Sequence, residues 1–112
     1  MAQAILIGAF YVAMMVVNVV FVGLVAANRV KPNRLVGIRI PAAFRSAEAW
    51  TSVQKAAVPF RLTASAVYAA GLVVLISGVD VSRFGLLVVV VCVDLALYVV
   101  GHVVGNRRAK SL

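Results

Sequence analysis

The chain has 112 residues, 64% of them hydrophobic and only 12% charged, and its mean hydropathy is strongly positive. That balance excludes an ordinary water-soluble globular domain, in which about a quarter of the residues are charged, and the length allows a single domain. Eleven Lys and Arg against three Asp and Glu give a net charge of +8. The cations gather between and after apolar runs, with no aromatic platform on which bases would stack, so they point to the rim of a membrane and no nucleic-acid partner is expected.

Residues 4–27 form the first apolar run, broken only by Asn18, Gly8 and Gly23. At 1.5 Å per residue a helix of this length crosses a hydrocarbon core of about 30 Å. A cleaved signal peptide would place basic residues ahead of the apolar stretch. None stands before Ile5, so the run is expected to remain as a spanning helix.

The segment 28–59 is polar, cationic and rich in backbone punctuation. Pro32-Asn33 reads as a turn, because proline presets φ and asparagine enters the left-handed region easily. Gly37 supplies freedom that Val36 and Ile38 lack. Ser46 has the chemistry of an N-cap, with Glu48 favourably placed in the first turn. A short helix over about 47–57 is therefore expected, ended by Pro59. On it Phe44, Ala47, Trp50, Val53 and Ala57 recur at three- and four-residue intervals, while Arg45, Glu48, Ser52 and Lys55 take the other side. That pattern suits an interfacial amphipathic helix anchored in the headgroups by Trp50, and equally a cytosolic helix packed on the ends of the spans. Arg34, Arg39 and Arg45 beside Trp50 suit lipid phosphates or an acidic partner, with arginine favoured for its bidentate geometry. The plainer alternative is that these arginines only set orientation. Orientation alone makes no demand on Asn33, Gly37 or Trp50, which favours a built surface.

The string Pro32-Asn33-Arg34-x-x-Gly37-x-Arg39, followed by Ser46-x-x-x-Trp50, resembles the signature loop of the SdpI family of small bacterial membrane proteins. The hydropathy layout of nearly the whole chain is similar to that family as well. Two positions depart from its pattern: Ile40 stands where threonine is usual, and Gln54 where histidine or asparagine is frequent. The resemblance implies immunity to a membrane-active peptide toxin, together with signalling by capture of a cytoplasmic regulator at the basic loop.

Residues 60–79 form the second apolar run, with Pro59 in its first turn, where a missing N–H costs nothing. Arg61 sits just inside this start and is expected to snorkel to the interface. Asp80 or Ser82 is placed to cap a third helix over 84–105, and the tail 106–112 adds Arg107, Arg108 and Lys110. Seven cations (Arg29, Lys31, Arg34, Arg39, Arg45, Lys55 and Arg61) against Glu48 give the first loop a net +6, whereas Arg83 and Asp80 cancel in the second. Basic loops are retained on the cytoplasmic side. The expectation is an all-α membrane protein of three transmembrane helices in the inner (plasma) membrane, N-terminus outside and C-terminus cytoplasmic.

Asp94 falls near the middle of the third run, where an ionised aspartate costs on the order of 3 kcal/mol to insert. It must be protonated or partnered. Counting from the ends, Asn18 and Tyr68 lie at similar depth, about 4 Å from mid-helix for Asn18, so the three can form one hydrogen-bonded cluster. Its alternatives are a proton or cation relay, a polar site for a peptide, or interhelical glue of about 0.6 to 2 kcal/mol; the last is favoured, for want of a basic partner. Asp94, Tyr98, Gly101 and Gly105 share a face, and Gly101-x-x-x-Gly105 permits close helix packing, within the chain or between copies. His102 has no second ligand nearby, and Cys92 is the only cysteine, so neither a metal site nor a cofactor is expected. No paired carboxylates, nucleophile–base set or phosphate-binding glycine loop indicates an enzyme. Beside the immunity reading stand two others: a small accessory subunit docking on a larger membrane complex through the glycine face, and a small transporter working through Asp94.

Overall fold

A computed structural model describes residues 2–27, 29, 38 and 40–111. Three helices dominate them: α1 (Ala2–Ala26), α2 (Ala47–Ile76) and α3 (Arg83–Lys110), with a 3-10 turn at Pro41–Arg45 ahead of α2. Each of the three is long and apolar enough to cross a membrane. Together they make a rod of 49 × 22 × 20 Å.

The helix ends follow from side-chain chemistry. Ser46 Oγ accepts from the Ala49 amide at 2.9 Å to start α2, and Ser82 Oγ accepts from the Gly85 amide at 3.1 Å to start α3. Both remove an otherwise orphaned donor. Beyond Ser77, the C-cap of α2, the chain turns through Gly78 at φ +77°, a conformation that a residue with a Cβ adopts poorly. Arg107, Arg108 and Lys110 fall in the last turn of α3, where they oppose the negative end of the helix dipole.

The short helix expected over 47–57 is not a separate element. It is the first third of α2, which runs through Pro59 without a break. Proline removes the amide that would bond the carbonyl of Lys55 and presses its ring toward that carbonyl. Lys55 and Pro59 both lie on the exposed side of α2, so the lost bond falls where other groups can reach the carbonyl. One turn on, Thr63 Oγ1 donates to the Pro59 carbonyl at 2.8 Å, and the buried side of the helix is untouched. Hydroxyls and neighbouring helices commonly carry proline inside membrane helices in this way.

α2 is the central helix. α1 lies antiparallel on one side of it, with Gly8 against Leu72 and Leu75 and Asn18 opposite Arg61. α3 lies antiparallel on another, with Val90 against Gly71 and Val53 against Gly105. α1 and α3 scarcely touch. In lipid there is no hydrophobic drive between helices, so close approach depends on small residues. The buried face of α2 carries Ala49, Ala56, Ala57, Ala64 and Gly71. Bulky apolar side chains point outward instead: Leu6, Val73 and Phe84 are all more than half exposed.

Two buried clusters hold the rod. Toward the Ser46 end of α2, Trp50 packs with Ile38, Ala43, Val53, Ala57 and Ala109. Toward the other end Tyr11, Ile7, Tyr68 and Val90 come together. Of the two arrangements expected for this segment, headgroup anchoring by Trp50 and packing on the ends of the spans, Trp50 takes the second: it is 1% exposed, and its ring stands 5.2 Å from that of Phe44. The apolar periodicity located the right face from Trp50 onward. What covers that face is the 3-10 turn, Ile38 and the end of α3, not headgroups.

Candidate functional site

Near mid-length of the rod a polar cluster joins all three helices. Arg61 Nη1 of α2 lies 2.9 Å from Asp94 Oδ1 of α3. The same nitrogen reaches Asn18 Oδ1 of α1 at 3.4 Å. Tyr68 donates its hydroxyl proton to the second carboxylate oxygen, Oδ2, at 2.5 Å. Arg61 and Tyr68 are seven residues apart, two helical turns, so they present to α3 from one face of α2 and bracket the carboxylate. On α3, Tyr98 follows Asp94 by one turn and places its ring 5.4 Å from the Arg61 guanidinium, within cation–π range. Asn18, Tyr68 and Asp94 are all buried, so the cluster is shielded by protein as well as by lipid.

The structure thus brings together the three residues that depth alone aligned, and adds the one sequence reasoning sent elsewhere. Side chains on a helix lean toward its N-terminus, which for Arg61 is the direction of the interface. The guanidinium turns inward instead, because a carboxylate in lipid costs several kcal/mol when left unpaired. The i, i+7 spacing of Arg61 and Tyr68 was the available signal, since it put a cation on the face that Tyr68 shares with Asp94. Asp94 is therefore an acid with a basic partner. Two donors of this cluster, Arg61 Nη2 and Asn18 Nδ2, are buried without a hydrogen-bond partner among the described residues.

A second construction holds Ile38 against α2. The Ile38 amide donates to Gln54 Oε1 at 2.7 Å, and Gln54 Nε2 donates to the Ile38 carbonyl at 2.8 Å. One carboxamide thereby satisfies both backbone groups of one residue, with Gln54 only 2% exposed. A primary amide offers its donor and acceptor side by side, whereas an imidazole carries them on separate ring nitrogens. Gln54, which the sequence presented only as a departure from a pattern, ties Ile38 to α2.

Of the remaining predicted residues, Ser46 caps α2 and Trp50 is core. Gly101 and Gly105 receive α2: a Cβ at Gly101 would meet Phe60 at 3.5 Å, and one at Gly105 would meet Val53 at 3.1 Å. The glycine face is used inside the chain. His102 Nδ1 lies 2.9 Å from the Tyr98 carbonyl one turn earlier, to which an Nδ1–H donates. Asn33, Arg34, Gly37 and Arg39 lie outside the described residues.

The model of the SdpI/YfhL protein family matches residues 29–102, well over half of the chain. The chain belongs to the SdpI/YfhL protein family. With three helices of membrane-crossing length, it is an SdpI-like multi-pass membrane protein. Comparison with curated proteins and with solved structures gives no match. The segment shared with the SdpI/YfhL family takes in the loop, the Gln54 clamp and Arg61, Tyr68 and Asp94. Asn18, on α1, is contributed from outside it.

Proposed function

We propose that this protein confers immunity on its host against a membrane-active peptide toxin, acting without catalysis and through the polar cluster inside its helices. The observation that carries the reading is the Arg61–Asp94 pair with Tyr68 and Asn18. Holding two ions at mid-depth costs more than apolar packing of the same volume would, and helix association in lipid does not require it. Membership of the SdpI/YfhL family supports the same assignment.

The orientation proposed is N-terminus outside, loop and C-terminus cytoplasmic, in a bacterial inner (plasma) membrane. With Arg61 paired inside the bundle, the first loop keeps six cations (Arg29, Lys31, Arg34, Arg39, Arg45 and Lys55) against Glu48. A net +5 still outweighs the neutral second connection, and the basic last turn of α3 lies at the same end of the rod. That surface is suited to anionic headgroups, or to an acidic cytoplasmic regulator captured when toxin is present. The glycine face, buried against α2, is not free to seat a larger complex.

The test is toxin challenge of cells that lack the chain, complemented with wild type, Asp94→Asn, Arg39→Ala or Trp50→Ala at matched membrane levels. Protection should fall at least tenfold for Asp94→Asn. Arg39→Ala should impair capture of a cytoplasmic regulator, read from what copurifies with the chain under toxin, while leaving protection in place. Full protection by Asp94→Asn would remove the polar cluster from the mechanism.

A further inference from the structure

Because α1 and α3 each pack on α2 and hardly on one another, a cavity of about 510 Å³ lies between them over the floor of α2. Its wall is almost wholly apolar: Met14, Val17, Phe21 and Leu24 from α1, Phe60 from α2, and Ile38 at the loop end. Val16, Val17 and Val20 at its mouth are all more than half exposed on the outer face of the rod, so entry is from the hydrocarbon of the bilayer. From Met14 to Leu24 the cavity follows about 15 Å of helix, roughly half a hydrocarbon core. Its volume is in the range of small-molecule sites.

Among the described residues, the only polar side chains in that wall besides Tyr98 are Asn18 and Arg61. These are the residues whose Nδ2 and Nη2 donors are buried without a partner among the described residues. Asn18 is 3% exposed. The two donors are neighbours, since Asn18 Oδ1 already accepts from Arg61 Nη1. A buried donor left unpaired costs about 1–3 kcal/mol, and more when it is charged, so the site favours a ligand bringing acceptor oxygen. A hydroxyl would bring a donor of its own that needs an acceptor. The charge of Arg61 is already matched by Asp94 at 2.9 Å, and an anion would leave the cluster net negative in a medium that solvates charge poorly.

We propose that this cavity binds an uncharged, lipid-soluble carbonyl compound of the prenylated quinone class, with a ring carbonyl accepting from Asn18 Nδ2 and Arg61 Nη2. Depth selects the quinone over the other neutral carbonyl source in a membrane, the ester of a glyceride. Asn18 lies only about 6 Å from the middle of α1 (Ala2–Ala26), while glyceride esters are held near the headgroups by their hydroxyls. The prenyl tail lies along Phe21 and Leu24 or leaves through the valine-lined mouth. The site shares Asn18 and Arg61 with the cluster to which immunity is assigned above, but its test reads ligand binding and not protection, so either reading can fail without the other.

The full chain in detergent micelles is titrated with a short-chain prenylated naphthoquinone. Binding is read from quenching of Trp50, which packs with Ile38 and Ala57 of the cavity wall and is the single tryptophan. Saturable quenching is expected, weakened at least tenfold by Asn18→Leu. Val17→Phe, on the exposed rim where it leaves the core alone, should weaken it similarly while helicity and unfolding temperature stay at wild-type values. Parallel arms use monoolein and oleate as competitors, neither of which should displace the quinone. Non-saturable quenching, equal affinity in both variants, or displacement by monoolein or oleate would each overturn the assignment.

Discussion

Removing one member of the Arg61–Asp94 pair should harm the protein far more than removing both. At 2.9 Å two unit charges attract by about 6 kcal/mol if the effective dielectric constant is about 20. Desolvation of the two ions offsets most of this, at several kcal/mol each, so the intact pair adds little net stability. Arg61→Met leaves the Asp94 carboxylate near mid-membrane with only the Tyr68 hydroxyl, and is expected to cost about 3–5 kcal/mol. Asp94→Leu strands the guanidinium beside Asn18 at a similar cost. In the double variant neither ion remains and the loss is limited mainly to the orphaned Tyr68 hydroxyl, about 1–2 kcal/mol. The coupling between the two sites should therefore exceed about 2 kcal/mol. Reversible unfolding in mixed micelles, followed by the emission of buried Trp50, measures all four corners of the cycle. Single-variant losses that simply add, with coupling below about 0.5 kcal/mol, would refute the claim that these two groups depend on one another.

Tyr68→Phe removes a hydrogen bond to a carboxylate and should cost about 1.5–3 kcal/mol. Tyr11→Phe deletes a buried hydroxyl that has no partner among the described residues and should be neutral or stabilising in the same assay. Gly105→Leu drives a side chain into Val53, which a Cβ alone already approaches to 3.1 Å; about 1–3 kcal/mol should be lost in micellar thermal unfolding. Gly23→Ala, with nothing within 4 Å among the described residues, should gain a few tenths of a kcal/mol from helix propensity. Gln54→Leu strands both backbone groups of Ile38, so amide exchange at Ile38 should accelerate at least tenfold, while amides at the middle of α3 keep their protection.

The three spans and the Ser46 cap were legible in the chain, with Ser82 as one of two candidates for the cap of α3, because each rests on a local rule. About 20 apolar residues in a row have few fates other than lipid, and a serine before a helical stretch acts on an amide three residues away. Even Asn18, Tyr68 and Asp94 were aligned by counting, since a helix that crosses a membrane converts residue number into depth. Tertiary structure alone decided what those local rules leave free. Pro59 sits inside α2 because the broken bond falls on its exposed side, and that depends on which face the neighbours cover. Trp50 and Gln54 turn inward because Ile38, the 3-10 turn and the end of α3 cover that face, and Arg61 abandons the interface because a carboxylate from another helix waits at its level. Hydropathy sets how deep each residue lies; rotation about the helix axis, which hydropathy does not encode, sets whom it meets.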